Sequence, residues 1–119
     1  EWREVMQSTI LRIYMKASAK VKDAHLSFWQ RIFNGLLGSY LLRKAKDFGL
    51  QQALLQKLSA GYLNGNRLIF DVSEVAPPDL PLCLEIIDTE SNLQKFIQKN
   101  KKHLSECRVV IFQAAEWVN

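Results

Sequence analysis

The side chains able to do chemistry are scattered along the chain rather than gathered. Cys83 and Cys107 sit in separate stretches outside any C-x-x-C pair, and His25 and His103 stand apart from both. Zinc sites recruit Cys and His at short, recurrent spacings, so no metal centre is expected. Serines and carboxylates are present, but no spacing unites a nucleophile, a base and an orienting group, and no phosphate loop is written in the chain. An enzyme is the least favoured class. What remains is cationic: Arg43, Lys44 and Lys46, with Lys95, Lys99, Lys101 and Lys102, hold much of a net charge of +4. Aromatic residues are not interleaved with these bases, so two solvated helix faces are favoured over a nucleic-acid footprint. A small anion or an acidic partner stays open.

With 119 residues, 48% of them hydrophobic and 24% charged, the chain is expected to form one globular domain with its own core. That domain spans 1–119, with 1–7 as a lead-in and 113–119 as a tail. No apolar run approaches a membrane span and no signal-peptide pattern is present, so a cytoplasmic protein without membrane insertion is expected. Glu1 rather than methionine opens the sequence, which is compatible with a fragment of a longer protein. In a reducing compartment the two cysteines act as small, partly buried hydrophobes.

The elements that must position these groups are organised around Pro81–Asp88. Proline suits the first position of a strand because it has no N–H to give a ladder. Leu82, Leu84 and Ile86 then share one face, and Cys83, Glu85 and Ile87 the other. Asp88-Thr89-Glu90-Ser91-Asn92 follows with capping side chains and an early carboxylate, predicting a helix from about Glu90 to Lys101. Ser8–Met15 is a first strand with Thr9, Leu11, Ile13 and Met15 on one face, and Lys16–Ala24 is a loop. From Leu26 the period becomes helical, with Trp29, Phe33, Leu36, Leu37, Tyr40, Leu41, Ala45 and Phe48 in one stripe. Ser27 and Gln30 form a capping box, and Gly49-Leu50 a Schellman stop. Gly35 and Gly38 leave open one helix with a close-packed or bent centre, or two short ones.

Gln52–Tyr62 reads as a second strand, although Ala53–Leu58 alone would equally suit a helix. Asn64-Gly65-Asn66 is a turn, and Arg67–Val72 alternates again, predicting an ordered hairpin arm. Ala76–Pro81 is too rich in proline for regular structure. Cys107–Phe112 is the last strand. The order of strands and helices is a double split-βαβ, so the fold class is α+β: a ferredoxin-like antiparallel sheet with two helices on one face. Right-handed crossovers put the first strand and Pro81–Asp88 side by side at the centre. The other sheet face then shows Ile10, Tyr14 and Ile87 with Arg12 and Glu85, which suggests self-association.

Three stretches, Leu11-Arg12-Ile13-Tyr14, Ala60-Gly61-Tyr62 with Gly65 and Arg67, and Asp79 to Glu90, resemble the PII-like family of small proteins of unknown function, similar in fold to PII nitrogen-signalling proteins. The resemblance implies a homotrimeric regulatory protein that senses a small anionic ligand at its subunit clefts. Its Leu63–Leu80 loop would address a protein partner, a membrane transporter being one candidate. Gly61, Tyr62, Asn64, Gly65 and Arg67 would line the cleft from one subunit, with Lys101 and Lys102 from another. PII proteins hold a nucleotide partly through a glycine-rich turn before the last strand. Asn100–Glu106 contains no glycine, so backbone amides there do not curl readily into a phosphate nest; no cofactor is expected, and an adenine nucleotide is disfavoured but stays open, with Arg67, Lys101 and Lys102 able to meet an anion as side chains. A ligand-free oligomeric adaptor is the alternative. An RNA reader on the open sheet face is disfavoured, because only Tyr14 and Phe112 offer stacking surfaces.

Overall fold

The computed structural model describes residues 7–21, 35–72 and 77–118. Most of the expected lead-in, the opening of the first helix with Ser27 and Gln30, and residues 73–76 lie outside the described residues. In chain order the elements are β1 (Gln7–Lys16), α1 (Leu37–Phe48), β2 (Gln52–Lys57), β3 (Ala60–Gly61), β4 (Ile69–Phe70), β5 (Pro81–Asp88), α2 (Glu90–Lys99), a 3-10 turn over Lys101–Leu104 and β6 (Arg108–Glu116). Four strands form one antiparallel sheet in the order β2-β5-β1-β6, and β3 with β4 makes a separate two-stranded ladder. This is the ferredoxin-like arrangement expected from the sequence, with β5 and β1 at the centre.

The two-residue period of β1 and β5 decides which side chains are covered. Leu11, Ile13 and Met15 of β1 and Leu82, Leu84 and Ile86 of β5 enter one core with Leu37, Leu41 and Ala45 of α1 and Leu93 and Phe96 of α2. Both helices therefore cover the same sheet face. Helix α1 comes close: a Cβ on Gly38 would stand 3.1 Å from Leu82 Cδ1 and 3.2 Å from Leu55 Cδ1. Gly38 is thus a packing choice. Gly49, at φ 84°, ends α1, while Leu50 N–H donates to the Ala45 carbonyl at 3.2 Å. Helix α2 is capped by Thr89, whose hydroxyl accepts from Asn92 N–H at 3.2 Å.

On the open face the register sets Arg12 opposite Glu85, and the two form an ion pair at 2.9 Å. The guanidinium lies 4.9 Å from the Phe112 ring centroid, and the hydrogen bond to Glu85 holds its pKa above the ordinary value. Around this pair Leu54, Val110 and Phe112 are exposed. Cys83 is on this face yet buried, and both cysteines are free thiols.

Several boundaries differ from the sequence reading. The second strand ends at Lys57 instead of running to Tyr62. The Pro81 carbonyl still accepts from Leu58 N–H at 3.1 Å, but proline has no N–H to return, so the ladder stops and the chain leaves the sheet. The hairpin arm expected over Arg67–Val72 pairs only at Ile69 and Phe70. Helix α2 gives way after Lys99 to the 3-10 turn. The last strand continues through Gln113–Glu116, part of the expected tail. The early residues of β1 offer it partners, Ser8 with Ala115 and Gln7 with Glu116, and Trp117 Nε1 donates to Ser8 Oγ at 2.9 Å. Leu36, expected in the buried stripe of α1, precedes the helix and is 47% exposed.

Candidate functional site

Antiparallel pairing places the end of β1 beside the start of β6, with Tyr14 opposite Arg108. The hairpin that leaves the sheet after β2 arrives at this same place. Its tip is Leu63-Asn64-Gly65-Asn66, closed by Asn66 N–H donating to the Leu63 carbonyl at 2.9 Å. Asn64 at φ 55° and Gly65 at φ 71° are both left-handed, the geometry of a type I′ turn, which asparagine and glycine adopt at least cost. Arg108 Nε then donates to Asn64 Oδ1 at 2.6 Å. One side-chain bond thus ties the hairpin tip to the first residue of β6.

Beneath that tie lies a cavity of about 490 Å³. Lys16 and Lys20 come from the end of β1 and the loop after it, Asn64 and Asn66 from the hairpin tip, and His103 and Arg108 from the approach to β6. Three permanent cations face one acid in the lining, Glu106. Lys16 is steadied by Asp79 at 3.7 Å, and the loop behind it is pinned by Ala17 N–H to the Leu80 carbonyl at 2.7 Å. His103 is buried, its Nε2 lying 3.5 Å from the Tyr40 hydroxyl. Cys107 also lines the cavity. Burial first, and Glu106 second, push its thiol pKa up, which leaves it a poor nucleophile. Lys16, Lys20 and Arg108 give the cavity a lining suited to an anion.

The residues singled out from the sequence fall in separate places within one chain. Asn64 lines the cationic cavity. Tyr62 and Arg67 line a neighbouring hollow of about 210 Å³, together with Lys16 and Asp79. Lys101 and Lys102 border an open apolar groove floored by Ile97, Leu104 and Val109. Gly61 is in β3 and Gly65 in the turn, and neither adds a side chain to a cavity. Sequence reasoning missed Lys16, Lys20 and Arg108. Their signal was positional: each sits at or just beyond one end of β1 or β6, and those ends become neighbours once the strand order is known.

The turn before β6 contains no glycine. Two of its amides are spent internally, His103 N–H on the Asn100 carbonyl at 2.9 Å and Cys107 N–H on the Leu104 carbonyl at 3.0 Å. An anion here would be met by side chains instead. Among the described residues no group of His, Cys, Asp and Glu could hold a metal ion, and no helix is long and apolar enough to cross a membrane.

Comparison with known proteins bears on the fold. Curated proteins give no match. Among solved structures, the chain is similar to one described as a PII-like signalling protein from Thermus thermophilus, with 12% identity and a TM-score of 0.51 over 90% of this chain and 84% of that one. A nitrogen regulatory PII-like protein from Thiomonas intermedia, bound to ADP, AMP and bicarbonate, aligns with 8% identity and a TM-score of 0.46, over 90% and 89% of the two chains. GlnK of B. subtilis in its ATP complex aligns with 8% identity and a TM-score of 0.47, over 90% and 84%. The family described as DUF190, Uncharacterized ACR, matches residues 8–116. With that match over nearly the whole described sheet, and the PII-like fold beneath it, the chain belongs to the DUF190 family.

Proposed function

We propose that the chain is a PII-like regulatory protein that binds a small anion and signals its presence through the hairpin between β2 and β5. The observation that carries this reading is the Arg108–Asn64 bond, which joins the hairpin tip to the wall of a cavity lined by Lys16, Lys20 and Arg108. An anion entering there meets the same guanidinium that holds the hairpin. An anion that takes the Nε donor shifts the tip, because its full negative charge competes for the guanidinium with the amide dipole of Asn64. A protein partner would read the hairpin's position.

The same reading makes the protein a trimer. The open sheet face carries Leu54, Val110 and Phe112 in the exposed state around one ion pair, and a closed three-fold contact covers such a face without leaving a fibre-forming edge. In the trimer the Tyr62–Arg67 side of one subunit would meet the Lys101–Lys102 groove of the next. Light scattering at micromolar concentration is expected to give three copies, and a monomeric mass would refute this part of the proposal.

The function is tested by a thermal-shift panel of inorganic phosphate, citrate and adenine nucleotides. A rise in Tm that Arg108→Gln abolishes supports the anion sensor. No rise with any of them favours the second reading, a ligand-free oligomeric adaptor whose hairpin is a fixed feature. The internally bonded turn before β6 favours that second reading for nucleotides in particular. Neither reading involves catalysis, and both place the protein in the cytoplasm.

A further inference from the structure

Away from the hairpin, a second cleft of about 280 Å³ opens between the helices. Tyr40, Lys44 and Phe48 of α1 form one wall, and Lys99 and Asn100 at the end of α2 form the other. Residues 40, 44 and 48 are each one turn apart, so they stack on a single helix face. Lys44 Nζ stands 5.2 Å from the Tyr40 ring centroid and Lys99 Nζ 5.7 Å from that of Phe48. A ring face attracts a cation and restrains a side chain that would otherwise sweep through water. The rings are themselves held. Phe48 meets the fully buried Phe96 edge-on at 5.8 Å, and Tyr40 meets the His103 ring at 4.9 Å.

Neither Lys44 nor Lys99 has a carboxylate partner among the described residues. Lys102 adds a further positive charge to the lining, against one acid, Asp47. Asn100 is 4% exposed, with its amide nitrogen fixed to the Phe96 carbonyl at 2.9 Å. Two ammonium groups thus border one hollow, each set over a fixed ring.

We propose that this cleft is a second anion site, separate from the hairpin cavity, and that it takes a phosphate dianion. Like charges converging on a small volume repel. A dianion between them removes that repulsion and accepts a charge-assisted hydrogen bond from each ammonium. The volume admits a phosphate as a free ion or as the end of a small monoester. The two cavities share only His103 in their linings, so their cations can be removed independently.

The test is an amide NMR titration of the full chain with inorganic phosphate, then with glycerol phosphate. Saturable shifts are expected at residues 40–48 and 99–103. Binding should weaken by about tenfold or more in the double variant Lys44→Gln/Lys99→Gln and persist in Arg108→Gln. Both lysines are exposed, so the fold survives their loss, and amides outside the cleft report that. Asp47→Asn removes the one acid and is expected to tighten binding. Glycerol phosphate binding at least as tightly as phosphate assigns the site to an organic phosphate, and the reverse assigns it to the free ion. Shifts that do not saturate, that survive the double variant unchanged, or that weaken with Asp47→Asn overturn the proposal.

Discussion

The sheet and the hairpin it carries are held by opposite means. Strand β1 pairs with β5 from Thr9↔Asp88 to Lys16↔Pro81 and with β6 on its other side, over a core of fully buried side chains. The hairpin has two ladder pairs, Ala60↔Phe70 and Gly61↔Ile69, a flanking bond from Asp71 N–H to the Ser59 carbonyl at 2.8 Å, one Asn-Gly turn and the side-chain tie to Arg108. Three of its large side chains face water, Tyr62 at 61% exposed, Leu68 at 56% and Phe70 at 54%, while Leu63 and Ile69 are half-buried. Local stability follows buried contacts and protected backbone bonds. The sheet therefore sets whether the protein folds, while the hairpin can shift at little cost to the whole.

The contrast breaks first if a phenylalanine matters equally in both regions. Phe96→Ala leaves a cavity between α2 and the sheet and is expected to cost about 3–5 kcal/mol in urea unfolding. Phe70→Ala on the hairpin should stay within about 0.5 kcal/mol. A similar loss at both would erase the distinction.

A smaller effect is expected at Asp88, buried where β5 meets α2. Its carboxylate accepts from Gln51 N–H at 2.8 Å, Thr89 N–H at 2.6 Å and Asn92 Nδ2 at 2.8 Å. Asp88→Ala strands those donors and should cost about 1–3 kcal/mol, read in the same assay.

The thiols sharpen the comparison without touching stability. Burial pushes the pKa of both Cys83 and Cys107 up, so less thiolate is present at mildly alkaline pH than for a free cysteine. Alkylation of the native protein should be slow at both, and two thiols should react after denaturation without reductant. One reacting rapidly in the native state would mean that its region opens more readily than the burial implies.

Most of the sheet was legible because alternation at Leu82, Leu84 and Ile86 and at Leu11, Ile13 and Met15 leaves one possible face for the core. The Asn64-Gly65 turn was equally legible, since few other pairs accept two left-handed residues. Strand ends were not. Where β2 stops depends on which residue of β5 lies opposite, and where β6 stops depends on how early β1 begins. The site was less legible for the same reason. Arg108 and Lys16 lie far apart in sequence and become neighbours only through strand order, whereas Lys101 and Lys102, conspicuous as a run, face a different groove.

An anion bound at Arg108 should be felt by the hairpin. Hydrogen exchange at residues 60–70, with and without phosphate, citrate or ADP, tests it most directly. Exchange in this stretch is expected to change with an anion that raises Tm, while β1 and β5 stay protected, and Arg108→Gln should remove the response. Anion binding that leaves 60–70 untouched, or a hairpin response that survives Arg108→Gln, would contradict it.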